Sequence, residues 1–211
     1  MRVVIFSNGQ VENYEFYKNI LGQDDYIICA DGGLRHAVEL DIIPDLIVGD
    51  LDSAKPEQVE EMAAKGVTVL RYPSKKDKTD THIAVDLAVE KGAQEILLIG
   101  AMGDRFDHTL ANLFLLSSVA EKGIKVRMLN EKNDVYIITD KVSLNGKKGD
   151  LVSLLALTPE VTGVTTKGLY YPLEKASLTI GFPVGISNVF VEEKVEINVE
   201  KGLLLVIMSK D

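Results

Sequence analysis

The first 130 residues alternate short apolar runs with amphipathic segments. Runs rich in Val, Ile and Leu predict strands at residues 2–7, 26–30, 45–48, 67–71, 95–100 and 124–129. Among the segments between them, 79–91 and 108–122 carry recurring apolar side chains, Phe114 included, which predicts helices with one apolar face. We expect Thr79 or Asp80 to cap the first of these helices. Strand–helix alternation of this kind predicts a parallel sheet with helices on both faces.

After residue 129 the pattern changes to strands separated by turns. Predicted strands lie at residues 135–140, 151–157, 161–165, 177–180, 186–191, 195–199 and 203–208, with no convincing helix between them. Asn145-Gly146 and Lys201-Gly202 are turn signals typical of an antiparallel sandwich. The sequence therefore predicts two domains. Residues 1–129 form a Rossmann-like α/β/α domain with a parallel sheet, and residues 130–211 form an antiparallel β-sandwich.

Composition and charge narrow the classes of partner. The chain has 23 Lys and Arg against 32 Asp and Glu, and this net charge of −9 disfavours binding to nucleic acid or to an anionic membrane surface. No apolar run approaches the roughly 20 residues that span a bilayer, and the first apolar run is too short for a secretory signal. The single cysteine, Cys29, cannot form an internal disulfide. We therefore expect a cytoplasmic protein.

Acidic residues collect where the predicted strands of the first half end. These are Asp31, Asp50, Asp52, Asp77, Asp80, Asp104 and Asp107. In a parallel sheet all of them emerge at one edge, the edge at which open α/β sheets bind ligands. Carboxylates crowded together repel each other unless a cation offsets their charge. The pattern therefore predicts a divalent metal site.

The chemistry around this edge favours a phosphate-bearing substrate. Asp50-Leu51-Asp52 offers oxygen ligands without nearby Cys or His, which favours Mg²⁺ over zinc. Asp31-Gly32-Gly33 lies at a strand-to-helix turn, where backbone amides can approach an anion. The lysines of segment 75–78 and Arg105 place cations among the acids, as phosphoryl transfer requires. Neither the P-loop pattern nor the dinucleotide fingerprint is present.

The ordered combination of these motifs resembles a known family. The motifs are Ala30-Asp31-Gly32-Gly33, Gly49-Asp50-Leu51-Asp52-Ser53, Lys76-Asp77-Lys78-Thr79-Asp80 and Gly103-Asp104-Arg105-Phe106-Asp107-His108. They resemble, in this order and spacing, the thiamine pyrophosphokinase family of the bacterial type. The likeness continues through segments 168–173, 185–188 and 202–207, so it covers nearly the whole chain.

The resemblance implies an activity and a set of roles. Members of the family transfer the terminal pyrophosphate of ATP, the co-substrate, to the hydroxyethyl group of thiamine and release AMP. They use Mg²⁺ and form homodimers with active sites near the interface, between the two halves. By motif position, the implied metal ligands are Asp50, Asp52, Asp80 and Asp31. The first three and Arg105 are the implied catalytic residues. The implied nucleotide contacts are Asp31, Gly32, Gly33, Asp77, Lys78 and Arg105. The implied contacts to thiamine are Asp107, Asn112, Ser187 and Asn188.

Three other functions remain open on the residues alone. A diphosphokinase acting on a hydroxymethyl pterin would share the acids and differ in the acceptor pocket. A metal-dependent phosphohydrolase would use water in place of the alcohol, although a separate β-rich half is then unnecessary. A nonenzymatic nucleotide or thiamine sensor would have no need to retain every acid.

Overall fold

The computed structural model describes residues 1–210, which pack into two compact units. The first unit comprises Met1–Leu115 and Met128–Glu131, and the second comprises Leu116–Arg127 and the residues from Lys132 onward. Packing thus groups segment 116–127 with the second unit, although it precedes the predicted boundary after residue 129. Because each packed unit combines two separate chain segments, the units do not define a single boundary in the sequence. The boundary after residue 129 therefore stays a prediction.

The first half of the chain alternates strands and helices as predicted. In chain order the elements are β1 (Arg2–Phe6), α1 (Tyr14–Lys18), β2 (Tyr26–Ala30), α2 (Leu34–Glu39), β3 (Leu46–Gly49), α3 (Pro56–Ala64), β4 (Thr68–Arg71), α4 (Asp80–Glu90), β5 (Glu95–Ile99), α5 (Phe106–Ala120) and β6 (Lys125–Leu129). A single 3-10 turn, Asp31–Gly33, precedes α2. The division between the two units falls inside α5 and inside β6.

The sheet of the first unit is parallel. Its strands follow the order β5-β1-β2-β3-β4, and each neighbouring pair runs in the same direction. Strands β1, β2, β3 and β5 are buried along almost their whole length, which is why they read as continuous apolar runs in the sequence. The predicted fold class of this half is confirmed. The parallel arrangement brings the carboxyl ends of the strands to one edge.

Helix α4 begins where the sequence predicts. The Thr79 side chain accepts a hydrogen bond from the His82 backbone N–H at 3.1 Å, so Thr79 is the N-cap. Ile83, Ala84 and Ala88 are buried, and the helix packs against β1, β2 and β3. The capped first turn fixes the position of Asp80, the first residue of the helix.

Helix α5 differs in part from its prediction. The pattern places Phe114 on the apolar face, but its side chain is 62% exposed, and Phe106 at the helix start is exposed as well. The buried apolar positions are Leu116, Val119 and Ala120 in the last two turns, and Asn112 is a buried polar position. No helix within residues 1–210 combines the length and the apolar character needed to cross a membrane.

The second unit is built from antiparallel strands. They are β7 (Asn133–Ile138), β8 (Lys141–Asn145), β9 (Leu151–Ala156), β10 (Glu160–Lys167), β11 (Ala176–Thr179), β12 (Gly185–Val189), β13 (Lys194–Asn198) and β14 (Leu204–Ser209). Two runs of antiparallel neighbours form, β7-β14-β9-β12 and β11-β10-β13-β8. Their apolar side chains share one core that includes Val152, Leu154, Phe190 and Ile197. The predicted antiparallel β-rich class is confirmed.

Strand β8 is an element that the sequence pattern does not predict. It pairs with β13 from Lys141↔Asn198 to Asn145↔Lys194, at one end of its four-stranded sheet. Only Leu144 of its residues is buried. An edge strand with one buried side chain has too little alternation to be distinguished from a loop.

Candidate active site

Three of the predicted acids meet beyond the ends of two neighbouring strands. Asp31 follows β2, and Asp50 and Asp52 follow β3. One carboxylate oxygen from each residue lies within 4.8 Å of the other two. Asp31 is buried, and its Oδ1 accepts a hydrogen bond from the Ser53 backbone N–H at 3.1 Å. The convergence predicted from the strand ends is therefore present for these three side chains.

Gly49 lets a fourth acid approach this cluster. A Cβ atom at Gly49 would lie 2.9 Å from Asp80 Oδ1 and 3.2 Å from the Asp31 Cβ, and its φ of +141° is one that other residues rarely adopt. Asp31 and Leu51 also have left-handed φ values, of 48° and 63°. Such conformations cost about 1–3 kcal/mol each in residues other than glycine and tend to occur at functional sites. Backbone strain is thus present where the acids meet.

Lys76 is a cation inside this acidic cluster. Its Nζ lies 3.2 Å from Asp50 Oδ2 and 3.1 Å from Asp80 Oδ1, and its side chain is only 13% exposed. Burial lowers the pKa of Lys76, but Asp80 and Asp50 outweigh that effect and hold the pKa above its usual value. The ammonium is therefore charged at neutral pH and offsets part of the acidic charge.

The carboxyl groups of Asp50 and Asp80 respond to this environment in opposite ways. Desolvation raises the pKa of Asp50, yet the hydrogen bonds from Lys76 and from the Asp52 backbone bring it below its usual value. The pKa of Asp80 is raised, because its desolvation and the nearby charges of Asp50 and Asp31 outweigh the effect of Lys76. Ionisation is therefore less favourable for the Asp80 carboxyl group than for that of Asp50.

A cavity of about 610 Å³ opens beside the acids. Its walls come from the residues around the carboxyl ends of β1, β2, β3 and β5 and from the helices that follow. They are Ser7, Asn8, Gly9, Gln10, Ala30, Asp31, Asp52, Ser53, Thr79, Asp80, Thr81, Gly100, Ala101, Gly103, Asp104, Arg105, His108, Thr109 and Asn112. A cavity of this volume is in the range that small-molecule substrates occupy.

The loop after β1 is held in place by helix α2. Arg35 donates to the side chain of Asn8 and, through Nη2, to the carbonyl oxygens of Asn8 at 2.7 Å and Gly9 at 2.8 Å. His36 Nε2 lies 2.9 Å from the Gly9 carbonyl oxygen and Nδ1 lies 2.8 Å from the Tyr14 hydroxyl. Burial, reinforced by Arg35, lowers the pKa of His36 to about 4. The neutral ring therefore donates to Gly9 and accepts from Tyr14.

Gly32 and Gly33 serve packing in this structure. A Cβ at Gly32 would lie 2.3 Å from Asn8 Oδ1, and one at Gly33 would lie 2.0 Å from the Phe6 carbonyl oxygen. A side chain at Gly33 would displace the backbone at the end of β1, whereas one at Gly32 would displace the Asn8 side chain. Neither residue belongs to the cavity wall described above. Their expected nucleotide contacts therefore stay a prediction.

Arg105 and Asn112 line the cavity, whereas Asp107 does not. Arg105 Nη2 donates to Asp107 Oδ2 at 2.7 Å, and the two side chains are 71% and 66% exposed. The Arg105 guanidinium holds the pKa of Asp107 below its usual range. Asn112 is buried, and its Nδ2 donates to the Ala101 carbonyl oxygen at 2.9 Å. Its Oδ1 is the atom left to face a ligand.

Asp77 and Lys78 lie outside the acidic cluster. Lys78 Nζ is 2.5 Å from Asp86 Oδ2, a partner on the exposed side of α4. Asp77 is exposed, and neither residue belongs to the cavity wall. The nucleotide contacts expected of this pair would require the Lys78 side chain to leave Asp86.

Comparison with known proteins assigns the chain to a family. Residues 17–128 match the family model described as thiamin pyrophosphokinase, catalytic domain, and residues 136–204 match the vitamin B1 binding domain of the same enzyme. The chain belongs to the thiamin pyrophosphokinase family. The resemblance in the sequence motifs is thereby confirmed.

Individual relatives agree with this assignment. The thiamine pyrophosphokinase of Bacillus subtilis is 28% identical over 188 residues, which cover 87% of both chains. Its crystal structure covers 100% of both chains with a TM-score of 0.89 at 25% identity. The thiamin pyrophosphokinase of Geobacillus thermodenitrificans aligns with a TM-score of 0.84 at 28% identity, over 100% of this chain and 98% of that one.

The two predicted thiamine contacts in the vitamin B1 binding domain differ in availability. The Asn188 side chain is buried, accepts from the Tyr171 backbone N–H at 3.0 Å and donates to the Tyr171 carbonyl oxygen at 2.7 Å. Ser187 is exposed, with a φ of 56°, where the pairing of β12 with β9 shifts register. Its backbone N–H donates to Ser153 Oγ at 3.0 Å. The Ser187 side chain is therefore the more accessible of the two to a ligand.

The acids of this family member fit a hard divalent cation. The three clustered groups offer only carboxylate oxygens, which suit Mg²⁺ better than zinc. Asp80 Oδ1 is buried and has no well-formed hydrogen bond, although Lys76 lies nearby. A buried carboxylate oxygen without a hydrogen-bond donor is costly unless a cation satisfies it.

Sequence reasoning missed the loop after β1 and the placement of Lys76. Ser7, Asn8, Gly9 and Gln10 follow a parallel strand as the acids do. The expectation that residues following parallel strands lie at the ligand-binding edge would have identified them, had it been applied to uncharged residues as well as to acids. No pattern in segment 75–78 distinguishes the lysine that points into the cluster from its neighbours.

Proposed function

We propose that this member of the family transfers the pyrophosphate group of ATP to the hydroxyethyl oxygen of thiamine, giving thiamine pyrophosphate and AMP. The observation that carries the proposal is the convergence of the Asp31, Asp50 and Asp52 carboxylates within 4.8 Å. They lie beside a cavity in the catalytic half of a chain that matches both thiamin pyrophosphokinase models.

The reaction is an attack at the β-phosphorus, because pyrophosphate moves as a unit. A bond forms between the hydroxyethyl oxygen and the β-phosphorus. The bond from the β-phosphorus to the oxygen that bridges to the α-phosphorus breaks, and AMP leaves with that electron pair. The hydroxyl proton goes to a base or to water. Most of the rate enhancement then comes from positioning and from charge stabilisation.

Asp31, Asp50, Asp52 and Asp80 would hold Mg²⁺. When bound, Mg²⁺ supplies charge neutralisation for the phosphate chain and polarises its oxygens. The acids come from three separate segments, so their relative positions depend on the fold and on Gly49.

Arg105 would contact the phosphate chain. It lines the cavity and already holds a carboxylate through two donors, Nε at 3.3 Å and Nη2 at 2.7 Å, on Asp107. A phosphate offers the same two-oxygen geometry and more charge. Binding of nucleotide would thus exchange one anionic partner of Arg105 for another and free Asp107 for the acceptor side.

Asp107 is poorly placed to accept the hydroxyl proton, and Asp80 can accept it only where its carboxylate does not hold Mg²⁺. Asp80 belongs to the cavity wall, whereas Asp107 is exposed and paired with Arg105. Replacing Asp107 with Asn should therefore leave the shape of the pH–rate profile unchanged and raise KM for thiamine. A profile that loses its acidic limb would instead make Asp107 the base.

Among the predicted thiamine contacts, Asn112 lines the cavity, and Asp107 and Ser187 have exposed side chains that a ligand can reach. Asn188 would act through the Tyr171 backbone that it holds. The chain has no Trp, so an aromatic contact to the pyrimidine ring comes from Tyr or Phe.

We also propose a cytoplasmic homodimer. The second unit exposes a set of large apolar side chains, namely Tyr170, Tyr171, Ile180, Phe182, Val184, Ile186 and Val191. Exposed apolar side chains in this number favour an interface with a second copy. Sedimentation should give twice the mass of 23.1 kDa, and Phe182→Ser should shift the protein toward monomer. Cell fractionation tests the location.

A single assay tests the activity. The protein is incubated with ATP and Mg²⁺ and with thiamine, a hydroxymethyl pterin or no acceptor, and AMP and inorganic phosphate are measured. AMP formed only with thiamine is the expected result. AMP with the pterin, phosphate without an acceptor, or no turnover would identify the pterin diphosphokinase, the phosphohydrolase or the sensor, respectively.

A further inference from the structure

Lys76 differs from the other cations near the site in what it contacts. Lys78 and Arg105 each pair with a single carboxylate, that of the partly exposed Asp86 and that of the exposed Asp107. The Lys76 ammonium instead lies between two carboxylates from different elements, Asp50 of the acidic cluster and Asp80 beside it. Asp50 follows β3 and Asp80 begins α4, so this one charge links two segments that carry metal-ligand oxygens.

We propose that Lys76 is a built-in counter-cation that competes with Mg²⁺ for Asp50 and Asp80. It holds the acids together in the metal-free chain and keeps the affinity for free Mg²⁺ low, so that the metal is retained chiefly when it arrives with ATP. This inference rests on the proposed function, since it assigns Mg²⁺ to the same acids.

The geometry favours competition over permanent support. The ammonium is 3.1 Å from Asp80 Oδ1, yet that oxygen has no well-formed hydrogen bond. Charge, and not directional bonding, therefore holds this contact. Lys has a flexible stem and a compact charge, so its head can leave without rearranging the backbone. A divalent ion that took over Asp50 and Asp80 would release the ammonium, which could then contact the phosphates of a bound nucleotide.

Electrostatics predicts the direction of the effect. A divalent ion bound by Asp50 or Asp80 would lie within a few ångströms of the ammonium, and like charges at such a distance repel strongly where solvent is partly excluded. Removal of the lysine charge should tighten Mg²⁺ binding by at least about tenfold. If Lys76 served only to hold Asp50 and Asp80 in position, its removal would let these side chains move apart and would weaken Mg²⁺ binding.

The test compares wild type with Lys76→Met and with the matched control Lys75→Met. Lys75 is the exposed neighbour, so the control removes the same charge from the same loop. Melting temperature is measured in EDTA and then against Mg²⁺ alone, without nucleotide, up to tens of millimolar. This readout follows weak binding, because a ligand of the native state raises its stability with concentration.

The expected result has two parts. In EDTA, Lys76→Met melts several degrees below wild type, because the acids have lost their counter-charge. Mg²⁺ then restores it at concentrations about tenfold lower than those that stabilise wild type. Lys75→Met behaves as wild type in both measurements, and Lys76→Arg, which keeps the charge, lies close to wild type.

Other outcomes overturn the inference. Unchanged or weaker Mg²⁺ stabilisation in Lys76→Met and in the polar variant Lys76→Gln would show that Lys76 does not compete with Mg²⁺. Its role would then be structural, or it would have none in metal binding. Failure of both variants to fold even in Mg²⁺ would show that the metal does not replace the ammonium. The AMP assay on wild type separates these results from failure of the proposed function, since it does not depend on either variant.

Discussion

Buried polar groups at the acidic cluster of the first unit differ in their hydrogen bonding from those of the second unit. In the second unit Asn188 accepts from the backbone N–H groups of Tyr171 and Val189 and donates to the Tyr171 carbonyl, and Thr166 Oγ1 accepts from the Leu173 backbone at 2.8 Å. In the first unit Asp31 is buried among other carboxylates, and Asp80 Oδ1 has no well-formed hydrogen bond.

The contrast distinguishes scaffold from site. A buried polar group whose hydrogen bonds are made stabilises one conformation, and its loss costs stability. Carboxylates gathered with too few donors destabilise the chain until a cation or substrate arrives. The acidic cluster thus lowers the stability of the chain but can bind a cation. The hydrogen bonds of Asn188 and Thr166 instead stabilise the backbone of the second unit.

Asp52→Asn tests the first side of this contrast and has the largest expected effect. Loss of one proposed metal ligand should reduce AMP formation with thiamine by at least about a hundredfold. Metal-free thermal stability should stay equal or rise, since one like charge has been removed from the cluster. Steady-state kinetics and melting in EDTA measure the two effects.

Asp24→Asn is the control for this variant. Asp24 is exposed in the segment before β2, at the amino end of a strand whose carboxyl end leads to Asp31. Asp24→Asn removes one acid outside the cluster and should change neither AMP formation nor metal-free thermal stability. A clear loss of metal-free stability in Asp52→Asn would make Asp52 a structural residue and would remove the contrast.

Gly49→Ala should affect stability and activity together. The added Cβ would lie 2.9 Å from Asp80 Oδ1 and would force a positive φ on alanine. Overpacking and backbone strain together cost about 3 kcal/mol. Denaturant unfolding measures the loss, and kinetics should show reduced turnover because Asp80 is displaced.

The matched control for this variant is Gly66→Ala. Gly66 also has a positive φ, of +90°, but nothing lies within 4 Å of the place that a Cβ would take. It should lose only the strain contribution, about 1 kcal/mol, and keep full turnover. Equal losses of stability and turnover in the two variants would mean that contact with Asp80 is unimportant.

The sequence predicts the site better where strand ends decide position than where loops do. Asp31, Asp50 and Asp52 follow apolar strands whose order and direction bring them together, so their convergence follows from the fold class. The contacts of Lys76 and Lys78 depend on the conformation of one loop, for which segment 75–78 has no distinguishing pattern. The prediction for Phe114 is wrong because an amphipathic pattern does not say which face another element covers.

His36 gives a pH dependence to the loop that borders the cavity. Its pKa is lowered to about 4 in the folded chain, below the ordinary value of 6.5, because burial disfavours the charged ring. The unfolded chain therefore binds the extra proton first as the pH falls. The free energy of unfolding is therefore unaffected by His36 above about pH 6.5 and decreases by about 3 kcal/mol as the pH approaches 4.

The variant His36→Gln tests this dependence. Gln can still donate to the Gly9 carbonyl but does not titrate. The free energy of unfolding of wild type minus that of the variant should therefore decrease between about pH 6.5 and pH 4. A constant difference over this range would show that His36 does not titrate on unfolding as proposed, whatever the carboxylates contribute to both proteins.

Asn188→Ala tests the second unit and has the smallest expected effect. The variant loses the hydrogen bonds to the Tyr171 backbone, but the Tyr171 side chain is 64% exposed, so water can reach part of this turn. Each lost hydrogen bond costs about 1 kcal/mol, and hydration returns part of that cost. Unfolding should show a loss of about 1–2 kcal/mol that is the same in EDTA and in Mg²⁺. Ser187→Ala, its neighbour, should keep the stability and raise KM for thiamine instead. A loss in Asn188→Ala that Mg²⁺ repaired would tie this residue to the acidic cluster and would contradict the separation of scaffold from site.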